Sequence, residues 1–134
     1  MRPIEDLDIE QLAAESFRIA SEHGFHETPD DVNEKLVLAI GELVEAQNEL
    51  RDGNTVADIY YFNKDSATPN FRHVVEDPAA IPPGCKPEGF GVELADAVIR
   101  ILDLMQEKGL PVRGLFASKM AYNETRPYKH GKAF

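Results

Sequence analysis

Apolar residues recur at helical spacing over four stretches of this chain, with turn residues between them. In residues 8–24, Ile9, Leu12, Ala13, Phe17 and Ala20 share one side of a helix. Asp8 with Gln11 has the form of a capping box, and Gly24 closes the run. The link FHETPD carries turn chemistry and Pro29. Residues 30–52 predict a second and stronger helix, capped by Asp30 or Asp31 and stopped by Gly53. Its apolar stripe is Leu36, Ile40, Leu43, Val44 and Leu50. Glu42, Glu45 and Glu49 fall roughly opposite, about 140–200° from Ile40 at about 100° per residue.

The pattern changes over residues 53–90. Pro69, Pro78, Pro82, Pro83 and Pro87 lie here, five of the nine prolines, which argues against a long helix. TVADIYYF and FRHVV have the composition of two short hairpin strands, and the remainder reads as a long loop. Helical periodicity returns in residues 91–108. There Leu94, Ala95, Val98, Ile101, Leu102 and Met105 form a broad apolar stripe whose burial is expected, with Glu93 and Asp96 beside it. Gly109 and Pro111 end that run, a fourth helix is expected over 112–126, and the basic tail RPYKHGKAF reads as irregular. The fold class predicted is all-α: about four helices, antiparallel neighbours around one core, with a long Pro-rich loop or small hairpin between the second and third.

A chain of 134 residues fits one domain, 1–134, and 43% hydrophobic with 28% charged residues is the profile of a globular protein. Its net charge of −10 repels nucleic-acid backbone and anionic membranes, so neither is an expected partner. An anionic ligand would need cations between it and the protein. Cys85 is the only cysteine, which excludes an intrachain disulfide. The N-terminus is acidic from Glu5 onward and no apolar run approaches membrane-spanning length, so a cytoplasmic location is expected.

The candidate chemistry lies in two acidic pairs. Residues three apart share a helix face, so Glu42 pairs with Glu45, and Glu93 with Asp96. If the two helices pack, four carboxylates meet, and a hard cation such as Mg²⁺ takes oxygen ligands of this kind. Without a cation the four charges would resist ionising together. The competing reading is an ordinary solvated face, with Glu93 favouring its helix N-terminus and Asp96 pairing with Arg100. On the fourth helix, the stripe begun by Val112, Leu115 and Phe116 continues through Lys119 and Asn123 to Arg126. A Lys and an Asn turned inward require partners such as carboxylates or ligand phosphates. Alternatively the helix end emerges into solvent.

Three blocks in this order, EKLVLAIGELVEAQNELRDG, KPEGFGVELADAVIRILDL and KMAYNETRPYKHGK, resemble the MazG-like all-α nucleoside triphosphate pyrophosphatases over about residues 34–132. The resemblance implies a MazG-like helical bundle, assembled as a homodimer or homotetramer. It implies a Mg²⁺-dependent hydrolase, with Mn²⁺ as a substitute, that cleaves a nucleoside triphosphate to the monophosphate and pyrophosphate. It carries metal ligation over to Glu42, Glu45, Glu93 and Asp96. Lys119 and Asn123 match phosphate-contacting or site-supporting positions, and Tyr122 and Arg126 belong to the same substrate-binding motif. Glu45 or Glu49 is the expected proton acceptor, with Lys119 as a charge beside the phosphates. Leu38 and Ala39 stand where many relatives carry two adjacent acids, and Gly114 stands where a helix former is expected.

Other residues have plainer readings. His23 and His26 lie beside Gly24 and the link, which disfavours a zinc pair and favours surface histidines. His73 and His130 are isolated. Phe25, Tyr60, Tyr61 and Phe62 suit base stacking or, more commonly, the core. Lys129, His130 and Lys132 read as a solvated tail. GELVEA echoes part of a Nudix helix, but residues 30–41 lack the Gly-rich lead-in of that box. The alternative to an enzyme is a non-catalytic helical nucleotide-binding or protein-interaction module.

Overall fold

A computed structural model describes residues 6–28, 31–63, 69–71 and 84–131. The chain is mostly helical. Its elements are α1 (Ile9–Glu22), α2 (Val32–Arg51), β1 (Tyr60–Asn63), β2 (Pro69–Phe71), β3 (Cys85–Glu88), α3 (Phe90–Glu107), α4 (Val112–Thr125) and a 3₁₀ turn, Tyr128–Gly131. They divide into two compact units. One comprises residues 1–29 and 102–134, the other residues 30–101. No helix among the described residues is long and apolar enough to cross a membrane.

In the first unit, α1 begins at the expected capping box: the Asp8 carboxylate accepts from the Gln11 N–H while the Gln11 side chain accepts from the Asp8 N–H. Ala13, Leu102 and Val112 are buried together, with Ile9, Leu12 and Met105 packed around them. An Arg113–Asp8 ion pair links α4 to the start of α1. His26 is not a surface histidine. Its Nε2 lies 2.7 Å from Asp103 Oδ1, its Nδ1 2.5 Å from Glu107 Oε2, and its ring stacks on Phe17 at 4.6 Å. His23 is exposed, its Nδ1 2.8 Å from the Ile19 carbonyl. Beyond Val112, the line through Leu115, Phe116, Lys119 and Asn123 is exposed, so α4 does emerge from the core of its own unit.

The second unit departs from the sequence pattern in two ways. The region between α2 and α3 holds a three-stranded antiparallel sheet of order β2-β1-β3, one strand more than the expected hairpin. The extra strand, CKPE, carries a proline at position 87 and lies at the sheet edge, where a missing N–H is tolerated. Of the expected strand FRHVV, only Phe71 is among the described residues.

The second departure is larger. The apolar stripes of α2 and of the first half of α3 face outward in this chain. Ile40 is 57% and Val98 51% exposed, and Leu36, Leu43, Val44, Leu94 and Ile101 are exposed as well. The residues turned inward are Ala39, Ala46, Ala97 and Glu93. Burial of the α3 stripe is realised only at Leu102, with Met105 partly covered, both in the first unit. Small side chains on the inner faces leave room for the longer acids beside them. An open apolar groove of about 430 Å³ remains along the outer side, lined by Ile40, Leu43, Val44, Leu50, Phe90 and Leu94 among others.

Candidate functional site

The acids of the second unit are gathered by three elements. Asp31 caps α2, accepting from the Asn33 N–H, and helical spacing puts Ala39, Glu42, Ala46 and Glu49 on one face of it. Residue Gly53 ends α2 at φ +94°, a conformation open to glycine, and the Asn54 N–H returns to the Glu49 carbonyl at 3.1 Å. On β3, strand register sets Glu88 opposite Tyr60. Then Gly89 turns the chain into α3 at φ +135°. A Cβ there would stand far inside contact distance of the Asp58 carbonyl oxygen, so only glycine fits the joint between Glu88 and the helix carrying Glu93.

Among the described residues two acidic triads result. Oxygen atoms of Glu42, Glu45 and Glu93 lie within 4.8 Å of one another, and so do those of Glu49, Glu88 and Glu93. Glu93 is the shared member and is only 6% exposed. Asp96 enters neither triad, but its charge acts on Glu93. Around the acids stand two cations. Arg100 donates from Nε to Glu42 Oε1 at 2.7 Å, and Lys86 Nζ lies 3.0 Å from Glu88 Oε1. The partner of Arg100 is thus Glu42 on the other helix rather than Asp96 alone, although Arg100 also favours the charge on Asp96.

Charge is distributed unevenly across this group. Burial, then hydrogen bonding with the Glu45 and Glu42 carboxyls, then the charges of Glu45 and Asp96 push Glu93 up to about 8. Burial also raises Asp96, as does the charge of Glu42, against the opposing pull of Lys86 and Arg100. For Glu42 burial works against ionisation, but the Arg100 guanidinium outweighs it and holds this carboxyl below its ordinary range. The hydrogen bond to Glu88 raises Lys86. Near neutral pH the acids therefore hold a proton that belongs to the group and resides chiefly on Glu93.

Glu49 is fixed differently. The Tyr60 hydroxyl lies 2.8 Å from its Oε1 and 2.9 Å from its Oε2, and Asn54 Nδ2 donates to Oε2 at 2.8 Å. Glu45 is exposed.

The residues expected to contact substrate belong to the first unit, where they form a cluster of their own. Lys119 Nζ lies 5.0 Å from the Tyr122 ring centroid and the Arg126 guanidinium carbon 5.7 Å from it, so two cations lie against one aromatic ring. Asn123 is exposed on the same helix.

Sequence reasoning missed Glu88, Lys86, Asn54 and the hydroxyl of Tyr60. KPEG was noted only as a block of the resemblance; its Lys and Glu, two apart on a strand, point to one face. Comparison of the chain with known protein families, curated proteins and solved structures returned no match.

Proposed function

We propose that this chain is a Mg²⁺-dependent nucleoside triphosphate pyrophosphohydrolase of the MazG-like type, converting a triphosphate to a monophosphate and pyrophosphate. The observation that carries the reading is Glu93: a nearly buried carboxyl whose oxygen neighbours are acids from two other elements. Such a set is costly on its own and suits a hard divalent cation, which accepts several carboxylate oxygens. In this reading Glu42, Glu45 and Glu93 hold the ion, with Asp96 beside them. Bound there, Mg²⁺ would offset phosphate charge, and Mn²⁺ would serve in its place.

In the reaction a water oxygen bonds to phosphorus, the P–O bond between α- and β-phosphates breaks, and a carboxylate takes the water's proton. Glu45 is the better proton acceptor than Glu49, because both Glu49 oxygens already accept from Tyr60 and Asn54. Lys119, Tyr122, Asn123 and Arg126 are assigned to substrate contact on sequence resemblance alone. The exposed apolar residues of α2 and α3 support a homodimer or higher homo-oligomer, since contiguous apolar surface of this kind marks an interface.

A panel of triphosphates assayed for Mg²⁺-dependent pyrophosphate release tests the activity. Glu42→Gln and Asp96→Asn should each remove release while leaving the helical circular dichroism signal intact. Release that survives both substitutions refutes the site. Calorimetric binding of a nonhydrolysable triphosphate with no cleavage of its natural counterpart identifies a nucleotide-binding module instead.

A further inference from the structure

We propose that Tyr60 is a positioning residue of the acidic site, acting through Glu49; the inference rests on the cation-binding reading above. A tyrosine on a short strand next to other aromatics suggests either a base-stacking surface or a core residue. Neither accounts for its hydroxyl. Tyr60 is 8% exposed and its ring meets Phe62 edge-on at 5.4 Å, so it has little face to offer a base. The hydroxyl instead reaches both oxygens of Glu49, eleven residues earlier on α2.

What this contact does follows from the chemistry of Glu49. A free Glu side chain on an exposed helix samples several rotamers, and one facing Glu88 and Glu93 would turn away from them. The Tyr60 hydroxyl and Asn54 Nδ2 supply donors that hold the carboxylate in place. A carboxylate has about four lone-pair sites, and two donors leave the others free. Glu49 is thereby held with oxygen within 4.8 Å of Glu88 and Glu93, the triad that shares Glu93 with the Glu42–Glu45 triad. The anchor is itself fixed: Tyr60 stands on the central strand of the sheet, directly opposite Glu88. One strand pair thus sets both Glu88 and the donor that orients Glu49. Hydrogen-bond partners of metal-binding carboxylates commonly tune affinity by about 10–100-fold.

The test is a Mn²⁺ titration of the full chain, followed by electron paramagnetic resonance of the free ion. The variants are Tyr60→Phe, Asn54→Ala and Glu49→Gln, each of the first two combined with Glu49→Gln, and Glu42→Gln. Tyr60→Phe removes one oxygen and keeps the ring. It should weaken Mn²⁺ binding about 10-fold with an unchanged circular dichroism spectrum. Glu49→Gln should weaken binding at least as much, and its combination with Tyr60→Phe should bind no worse than Glu49→Gln alone. That non-additivity is what a merely structural tyrosine would not produce. Asn54→Ala, which leaves the sheet untouched, should show a smaller loss that also vanishes in the Glu49→Gln background, so the inference stays testable if Tyr60→Phe folds poorly. Wild-type affinity in Tyr60→Phe, or additive losses when it is combined with Glu49→Gln, overturns the role of Tyr60 while leaving the cation site standing. Absence of Mn²⁺ binding by the wild-type chain, or wild-type affinity in Glu42→Gln, overturns the cation site and the role of Tyr60 with it.

Discussion

Substitution of Glu93 by Gln should make the metal-free protein more stable in alkali. The folded chain keeps a proton on Glu93 up to about pH 8, whereas an unfolded Glu releases it near 4.5. Between those values the folded state binds more protons than the unfolded one, so unfolding free energy falls as pH rises. The slope is about 1.4 kcal/mol per pH unit for one proton, which accumulates to roughly 3–5 kcal/mol by pH 9. Below 4.5 both states are protonated and above about 8 both are ionised, so the loss is confined to the window between. Asp96, also raised, acts in the same direction from its ordinary 3.8 upward. Glu42, held low, acts oppositely: its contribution is present above 4.5 and lost as pH falls through its native value, outside the window.

Gln at position 93 keeps the shape and removes the charge. Urea unfolding at about pH 5.5 and pH 9, with a chelator present, is the assay. Wild-type protein should lose stability between the two, and Glu93→Gln should lose far less and overtake wild type at the higher pH. Millimolar Mg²⁺ should restore wild type at pH 9 and leave Glu93→Gln unchanged, because a ligand that binds only the folded state stabilises it. Equal wild-type stability at both pH values without metal, or a wild-type slope in Glu93→Gln, refutes the argument that burial and the neighbouring acids hold a proton on Glu93 in the folded chain.

Three other outcomes follow from the geometry. Val44→Asp, on the exposed face of α2, should shift the sedimentation of the chain to that of a monomer with its helical signal retained. Gly89→Ala should cost about 2–4 kcal/mol in urea unfolding, since it forces a left-handed φ on alanine and drives its Cβ into the Asp58 carbonyl. His26→Ala should cost about 1–3 kcal/mol by the same measurement, because it leaves Asp103 and Glu107, both largely covered, without the imidazole between them.

Local signals were legible where a few residues decide the conformation. The Asp8–Gln11 box, the Asp31 cap and the stop at Gly53 are set by short-range hydrogen bonds and by φ, and all appear in the structure. The acidic pairs were legible from spacing, but not the inward direction of Glu93. Helical periodicity marks the apolar face of a helix without telling which chain covers it. The apolar stripe of α3 was therefore expected to be buried, whereas Ala97 and Leu102 are buried and Val98 and Ile101 are not. A usable signal existed in the alternation of small and acidic residues. Ala39, Glu42, Ala46 and Glu49 fall at i, i+3, i+7 and i+10, and Glu93, Asp96, Ala97 and Arg100 at i, i+3, i+4 and i+7. Two faces that mix Ala with acid can approach closely, and such a pattern on two helices predicts a meeting of carboxylates. The meeting of Glu88 and Tyr60 was out of reach because it depends on the register of a strand, CKPE, that the pattern did not predict.

Within residues 30–101 the chain covers an acid and leaves the leucines and isoleucines of α2 and α3 in water, the reverse of ordinary burial. Each half of that inversion is relieved by a different partner. A cation relieves the acids, because it replaces their mutual repulsion with attraction. An apolar surface, most simply a second copy of the chain, relieves the outer stripes. The two reliefs can be separated by experiment, since Ile40 and Val44 point away from the face that carries Glu42 and Glu49. If they are independent, Val44→Asp should abolish assembly and leave Mn²⁺ affinity within a few-fold of wild type. Loss of both together would mean that assembly, rather than the fold of one chain, holds Glu42 and Glu93 at binding distance.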